Sequence, residues 1–211
     1  MSRLADFWPR LPCDYPACLA PVLGAAYPPD WETWHYSGRI TVAIPPPRFG
    51  WTSLTLVGSW GGPIVVLNLS HRYDPFEDLL NWLVAVAEGR LPVWCEVDQE
   101  GVKRRLLALP SPIDAGLIEF RVEGHAWSQR ARREVWDCFL WLRLHRGQFV
   151  QEFSRRLHDW LAEDYRSDQW GRYGQDESQQ ALAVDPLPQL PGWSRLRDLA
   201  QALPKPPDDW L

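Results

Sequence analysis

Few side chains in this chain have types and spacings that could do chemistry: five histidines, four cysteines and some arginine- and carboxylate-rich turns. His35, His71, His125, His145 and His158 share no HxH or HExxH spacing, so no pair is set to grip zinc from one face. His158, between Leu157 and Trp160, reads as a partly buried, hydrogen-bonded side chain. His145 ends a strand just before a helix and reads as an aid to that turn. Cys13 and Cys18 are too loosely spaced and too poor in nearby histidine for zinc. Cys95 and Cys138 fall in strand-like runs and read as small core residues. The pattern implies no metal and no cofactor.

Ser70-His71-Arg72 is the best small-ligand candidate. It stands between a strand and a helix, where the free N–H groups of a helix start attract anions, and arginine offers a fork for phosphate or carboxylate. Asp74 competes, because it caps the same helix and places negative charge there. Gly58-Ser59-Trp60-Gly61-Gly62 fits neither the phosphate-loop nor the dinucleotide pattern and reads as a turn; no GxSxG elbow occurs. Glu96 with Asp98, and Glu119 with Glu123, share strand faces. Paired carboxylates can do acid–base work, but among interleaved arginines a solvated cross-strand charge ladder is the plainer expectation.

Fourteen tryptophans are the compositional anomaly, with twenty prolines. Tryptophan and arginine dominate binding hot spots, and the tryptophans at loops and ends either fasten the arms to the body or form a partner surface, for which the candidates are Trp127, Arg130, Arg132, Arg133, Trp170 and Trp193. Trp82, Trp94, Trp136 and Trp160 lie in regular elements and read as core or core rim. The Arg130–Arg133 cluster could pair with nucleic acid, but Glu134 and a net charge of −5 argue against it.

The elements that must position these residues follow from periodicity. Residues 1–36 alternate prolines with aromatics and read as an irregular arm packed on the body. Ile40, Val42 and Ile44 alternate, and further strand runs cover 51–57 and 64–69. Asp74, Pro75 and Glu77 start a helix that Gly89 ends. A hairpin turns at Asp98–Gly101; strands follow at 116–123 and 135–144. The last has apolar residues on both faces, with Trp136, Cys138, Leu140, Leu142 and Leu144 on one side. A second helix spans about 148–165. The segment 166–211 reads as a polar linker and a short helix bearing Trp193, Leu196, Leu199 and Leu203. That stripe should be buried on the second face of this chain's own sheet, over Phe139 and Trp141, or in a groove of another chain.

The expected fold is α+β: one largely antiparallel sheet of six or seven strands with two long helices on one face, the core domain spanning 37–165. A 45% apolar composition affords that core, and no window is apolar enough for a membrane span. Without a leader-like N-terminus, cytoplasmic thiols are the expectation. Arginine replaces lysine almost everywhere, which reads as GC-rich coding and a bacterial source. Size, acidity and α+β order are shared by many small bacterial immunity and adaptor proteins, a likeness of class with no motif behind it. The expected function is a non-enzymatic cytoplasmic module that binds another protein. The rivals are an enzyme or small-ligand binder with an anion pocket at His71 and Arg72, and a structural subunit docking through its C-terminal helix.

Overall fold

The computed structural model describes residues 39–58, 63–128, 133–170, 190 and 192–205, with backbone alone at 63–64, 126–128, 133–135 and 137–139. The sequence alternations become β1 (Ile40–Ala43), β2 (Trp51–Gly58) and β3 (Pro63–Ser70), then β4 (Val93–Asp98), β5 (Lys103–Pro110), β6 (Leu117–Ser128) and β7 (Arg133–His145). Helix α1 (Phe76–Ala87) separates the two groups. Helix α2 (Arg146–Asp159) follows β7 and runs on through a π turn at Trp160–Asp164; α3 (Ser167–Trp170) and α4 (Gly192–Ala202) complete the described elements.

Among the described residues all strand pairing is antiparallel, but the seven strands form two sheets, β1-β2-β3 and β4-β5-β6-β7, where the sequence suggests one. The break falls where the chain leaves β3 for α1 and returns at β4. There Gln99 Oε1 accepts from the Asn68 N–H at 2.7 Å, and Ser70 Oγ donates to Glu100 at 2.9 Å, so side chains take the place of a backbone ladder. One apolar cluster nevertheless spans both sheets and the helices: Ile40, Leu54 and Leu67 join Leu106, Phe120 and Leu142 around Trp82, Phe149 and Phe153.

Local signals explain the helix ends. Asp74 Oδ1 accepts from the Phe76 N–H at 3.0 Å, and Gly89 (φ 72°) takes the left-handed conformation that closes α1. His145 does serve the turn: its Nδ1 accepts from the Gln148 N–H at 3.3 Å and caps α2. The hairpin turns on Glu100 (φ 58°) and Gly101 (φ 102°), with the Gln99 N–H bonded to the Val102 carbonyl.

Helix α2 closes the free edge of β1 with one polar side chain per turn. Gln148 Nε2 donates to the Ile40 carbonyl (2.9 Å), Glu152 Oε1 accepts from the Val42 N–H (3.0 Å), and Arg156 Nη2 donates to the Ile44 carbonyl (2.8 Å). Trp160 Nε1, one turn further, donates to the Pro45 carbonyl at 2.9 Å. The 3.6-residue helical period thus reads out the two-residue period of a strand edge.

The C-terminal helix has neither expected destination. Trp193, Leu196 and Ala200 of α4 are buried against α1 and α2. The reason lies in α1, where nine of twelve residues are buried, too many for one face to account for. A second cover is required, and α4 supplies it. Its approach is close: a Cβ at Gly192 would stand 3.0 Å from that of Leu80. Gln151 Nε2 holds the end of α4 through the Ala200 and Leu203 carbonyls. Among the described residues no helix is long and apolar enough to cross a membrane.

Candidate functional site

The face of the four-stranded sheet turned away from the core carries a ladder of charge and indole. Register places Glu96 opposite Arg105 and Arg105 opposite Glu123; Leu107 faces Arg121, and Arg121 faces Trp141. A bulge shapes this face. Val122 is opposite Leu140 and Glu123 opposite Cys138, so Phe139 is an extra residue that shifts the alternation of β7. Trp136 therefore does not share the core side of Leu140, Leu142 and Leu144, as simple alternation had suggested. It lies instead under Arg105, whose guanidinium is 3.9 Å from its ring centre, and against His125 at 5.1 Å.

The ladder is graded from dry to wet. At β6 and β7, Glu119 and Arg143 are each 1% exposed and bonded at 2.6 Å, and Trp141 Nε1 donates to the same carboxylate at 2.7 Å. Burial pushes the Glu119 carboxyl above the ordinary carboxylate range, against the pull of Arg143. Glu123 is raised too, by burial offset by Arg121 and Arg105. The expected solvated ladder is thus, at this end, a buried ion-pair network. At β4 it opens to water. Arg105 bonds Glu96 at 2.8 Å and lies between the rings of Trp136 and, at 5.8 Å, Trp94. Trp94 is 56% exposed.

Beside Trp94 a cleft of about 610 Å³ runs between α1, β4 and the start of α4. Asp78 and Asn81 line it from α1, Glu96 from β4, and Arg90 and Arg195 from its other end. Both of those arginines are paired with Glu88. Cys95 lies in the floor, its thiol pushed up to about 12 by burial and then by the Asp78 and Glu96 carboxylates, so it stays protonated and inert as a nucleophile.

The residues singled out in the sequence are placed differently. Ser70 is buried, and its hydroxyl faces Glu100. His71 packs edge-on against Trp170 at 5.9 Å, and Arg72 lies 5.8 Å from the Tyr73 ring. Trp170 is 3% exposed, seated on Phe76 with its Nε1 donating to Asp74; Trp193 is 4% exposed and packs against His158. Neither indole offers a surface, because each fastens a C-terminal element to the core. His158 has no described partner at Nε2, so it is packed where a hydrogen bond was expected, and burial lowers its pKa. Arg130 and Arg132 lie outside the described residues, as do the arm 1–36, Cys13 and Cys18; the side chains of Trp127, Arg133 and Cys138 do too. Trp94, expected in the core or at its rim, is instead exposed, on the strand face opposite Cys95 and Val97 as alternation sets it. No protein-family model, curated protein or solved structure matches this chain.

Proposed function

We propose that the chain is a non-enzymatic, immunity- or adaptor-like protein-binding module of the bacterial cytoplasm, and that it meets its partner through the β4 side of the outer sheet face. Trp94 carries this reading: a large indole more than half exposed, held beside an arginine that is itself stacked on a second indole. Such an anchor offers area, a directional charge and little side-chain entropy to lose. Carboxylates interleave with the arginines of this face, which favours a protein over a nucleic acid.

The rival readings have less support. At Ser70, His71 and Arg72 the chain's own carboxylates, Asp74 and Glu100, already take the helix start and the serine hydroxyl. The apolar stripe of the C-terminal helix is spent on α1 and α2. The test is photo-cross-linking in the producing cells with benzoylphenylalanine in place of Trp94, and in place of Tyr73 for comparison. A discrete protein adduct is expected from position 94, weakened by Arg105→Gln. Adducts from position 73 alone would move the site to His71 and Arg72.

A further inference from the structure

We propose that the outer edge of β4 pairs antiparallel, backbone to backbone, with an extended segment of the partner protein, as every other strand pair of the described residues does, and that this segment carries a basic residue followed by an acidic one. The inference rests on the protein-binding reading above and adds how the partner is held.

Among the described residues β4 pairs only with β5 and so ends its sheet. The hairpin fixes which of its backbone groups are free. Gln99 and Val102 form the bonded pair next to the turn, so by alternation Val97, Cys95 and Val93 bond to β5, and Trp94 and Glu96 turn their N–H and C=O outward. Among the described residues two side-chain bonds reach the backbone of β4, Trp82 Nε1 of α1 donating to the Val93 carbonyl at 3.3 Å and a weak one from Cys95 Sγ to the Glu96 carbonyl at 3.8 Å, and neither takes the N–H of Trp94 or Glu96. The edges of β1 and β3 are treated otherwise: side chains occupy the N–H groups of Val42 and Asn68. Strand edges left open are templates for another chain.

The cleft lies along this edge and sorts its occupant by charge. Asp78 and Glu96 line the cleft at the Glu96 end, and Arg90 and Arg195 line it at the Val93 end; Arg105, shared by Glu96 and Glu123, and Glu88, shared by the two arginines, stand outside the lining. The lining is therefore acidic at one end and basic at the other. A segment running antiparallel to β4 enters at the Glu96 end, which sets the order basic, then acidic. Helix α1 walls the far side of the cleft.

The experiment reads amide exchange by NMR on the full chain with nine pentapeptides, acetyl-Thr-X-Val-Z-Thr-amide, X and Z each being Lys, Val or Glu. The peptide with X = Lys and Z = Glu should slow exchange at the Trp94 and Glu96 amides by about tenfold or more. The reversed peptide should protect least. N-methylation should abolish protection at one alternate set of peptide positions and spare the other. The inference is overturned if no peptide protects these amides at about 1 mM, or if charge order makes no difference. Protection that instead rises with protein concentration alone, with a dimer in sedimentation, would also overturn it in favour of a second copy. If peptides fail while position 94 still cross-links a partner, the edge inference falls and the protein-binding reading stands; if both fail, both fall.

Discussion

Two strand edges in this molecule face opposite fates. The edge of β1 is closed by Gln148, Glu152 and Arg156, one per turn of α2, and that of β4 is left with an exposed tryptophan and a charged cleft beside it. Both edges lie beside a helix, so proximity does not explain the difference. Helix α2 presents long polar side chains that reach the backbone of β1. Helix α1 reaches the backbone of β4 at one point, where Trp82 Nε1 donates to the Val93 carbonyl at 3.3 Å; Asp78 and Asn81, on its cleft side, are not bonded to β4 among the described residues, and the Trp94 and Glu96 N–H groups are left open. Closing an edge costs ordered polar side chains, and leaving one open risks unwanted pairing. The open edge is the one that adjoins the Trp94–Arg105–Trp136 stack, which suits an edge kept for use.

The largest effect should come from the buried support behind the open face. Replacing Arg143 with Met leaves the buried Glu119 carboxylate without its counter-charge, with the Trp141 indole N–H still bonded to it, and should cost about 3–5 kcal/mol at neutral pH. The pH dependence has a defined sign. Without Arg143 the folded carboxyl rises further above its unfolded value; its contribution is full below the unfolded pKa and is lost as pH rises through the folded one. The deficit measured by urea unfolding should therefore shrink as pH falls toward about 4; a pH-independent deficit would mean that Glu119 carries no buried charge. A middle effect belongs to the closed edge. Gln148→Ala strips the Ile40 carbonyl of its donor and should cost about 1–3 kcal/mol. Trp94→Ala, on the open edge, should cost no more than about 1 kcal/mol, the worth of an exposed cation–π contact. Equal costs at the two positions would erase the contrast between the edges.

Much of the fold is legible because its signals are local. Ile40, Val42 and Ile44 alternate and are buried; Asp74 and Gly89 bracket α1; Glu100-Gly101 supplies the left-handed pair that the hairpin needs. What escapes a sequence reading is long-range. Gln148 meets Ile40 across 108 positions, and nothing near either residue announces it. The alternating charges of β6 look like a wet face, yet Glu119 is dry because its counter-charge lies on β7. The bulge at Phe139 reverses the alternation of β7 without a glycine to mark it. For the site the lesson is different. Trp94 is placed outward by simple alternation, and only the rule that tryptophan in a strand is core hides it. Trp170 and Trp193 follow polar or proline-marked stretches and look available, but each is taken up by contacts with α1 or α2.

Residue-resolved hydrogen exchange of the free chain under native conditions tests the contrast between the two edges most directly. The Val42 amide, held by the Glu152 carboxylate, should exchange slowly and quicken in Glu152→Ala. The Trp94 and Glu96 amides, turned outward from β5, should exchange at least about tenfold faster than Val42 although all three lie in strands. Equal protection at the three sites, or slow exchange at Trp94 and Glu96 in the absence of any partner, would contradict an open edge at β4.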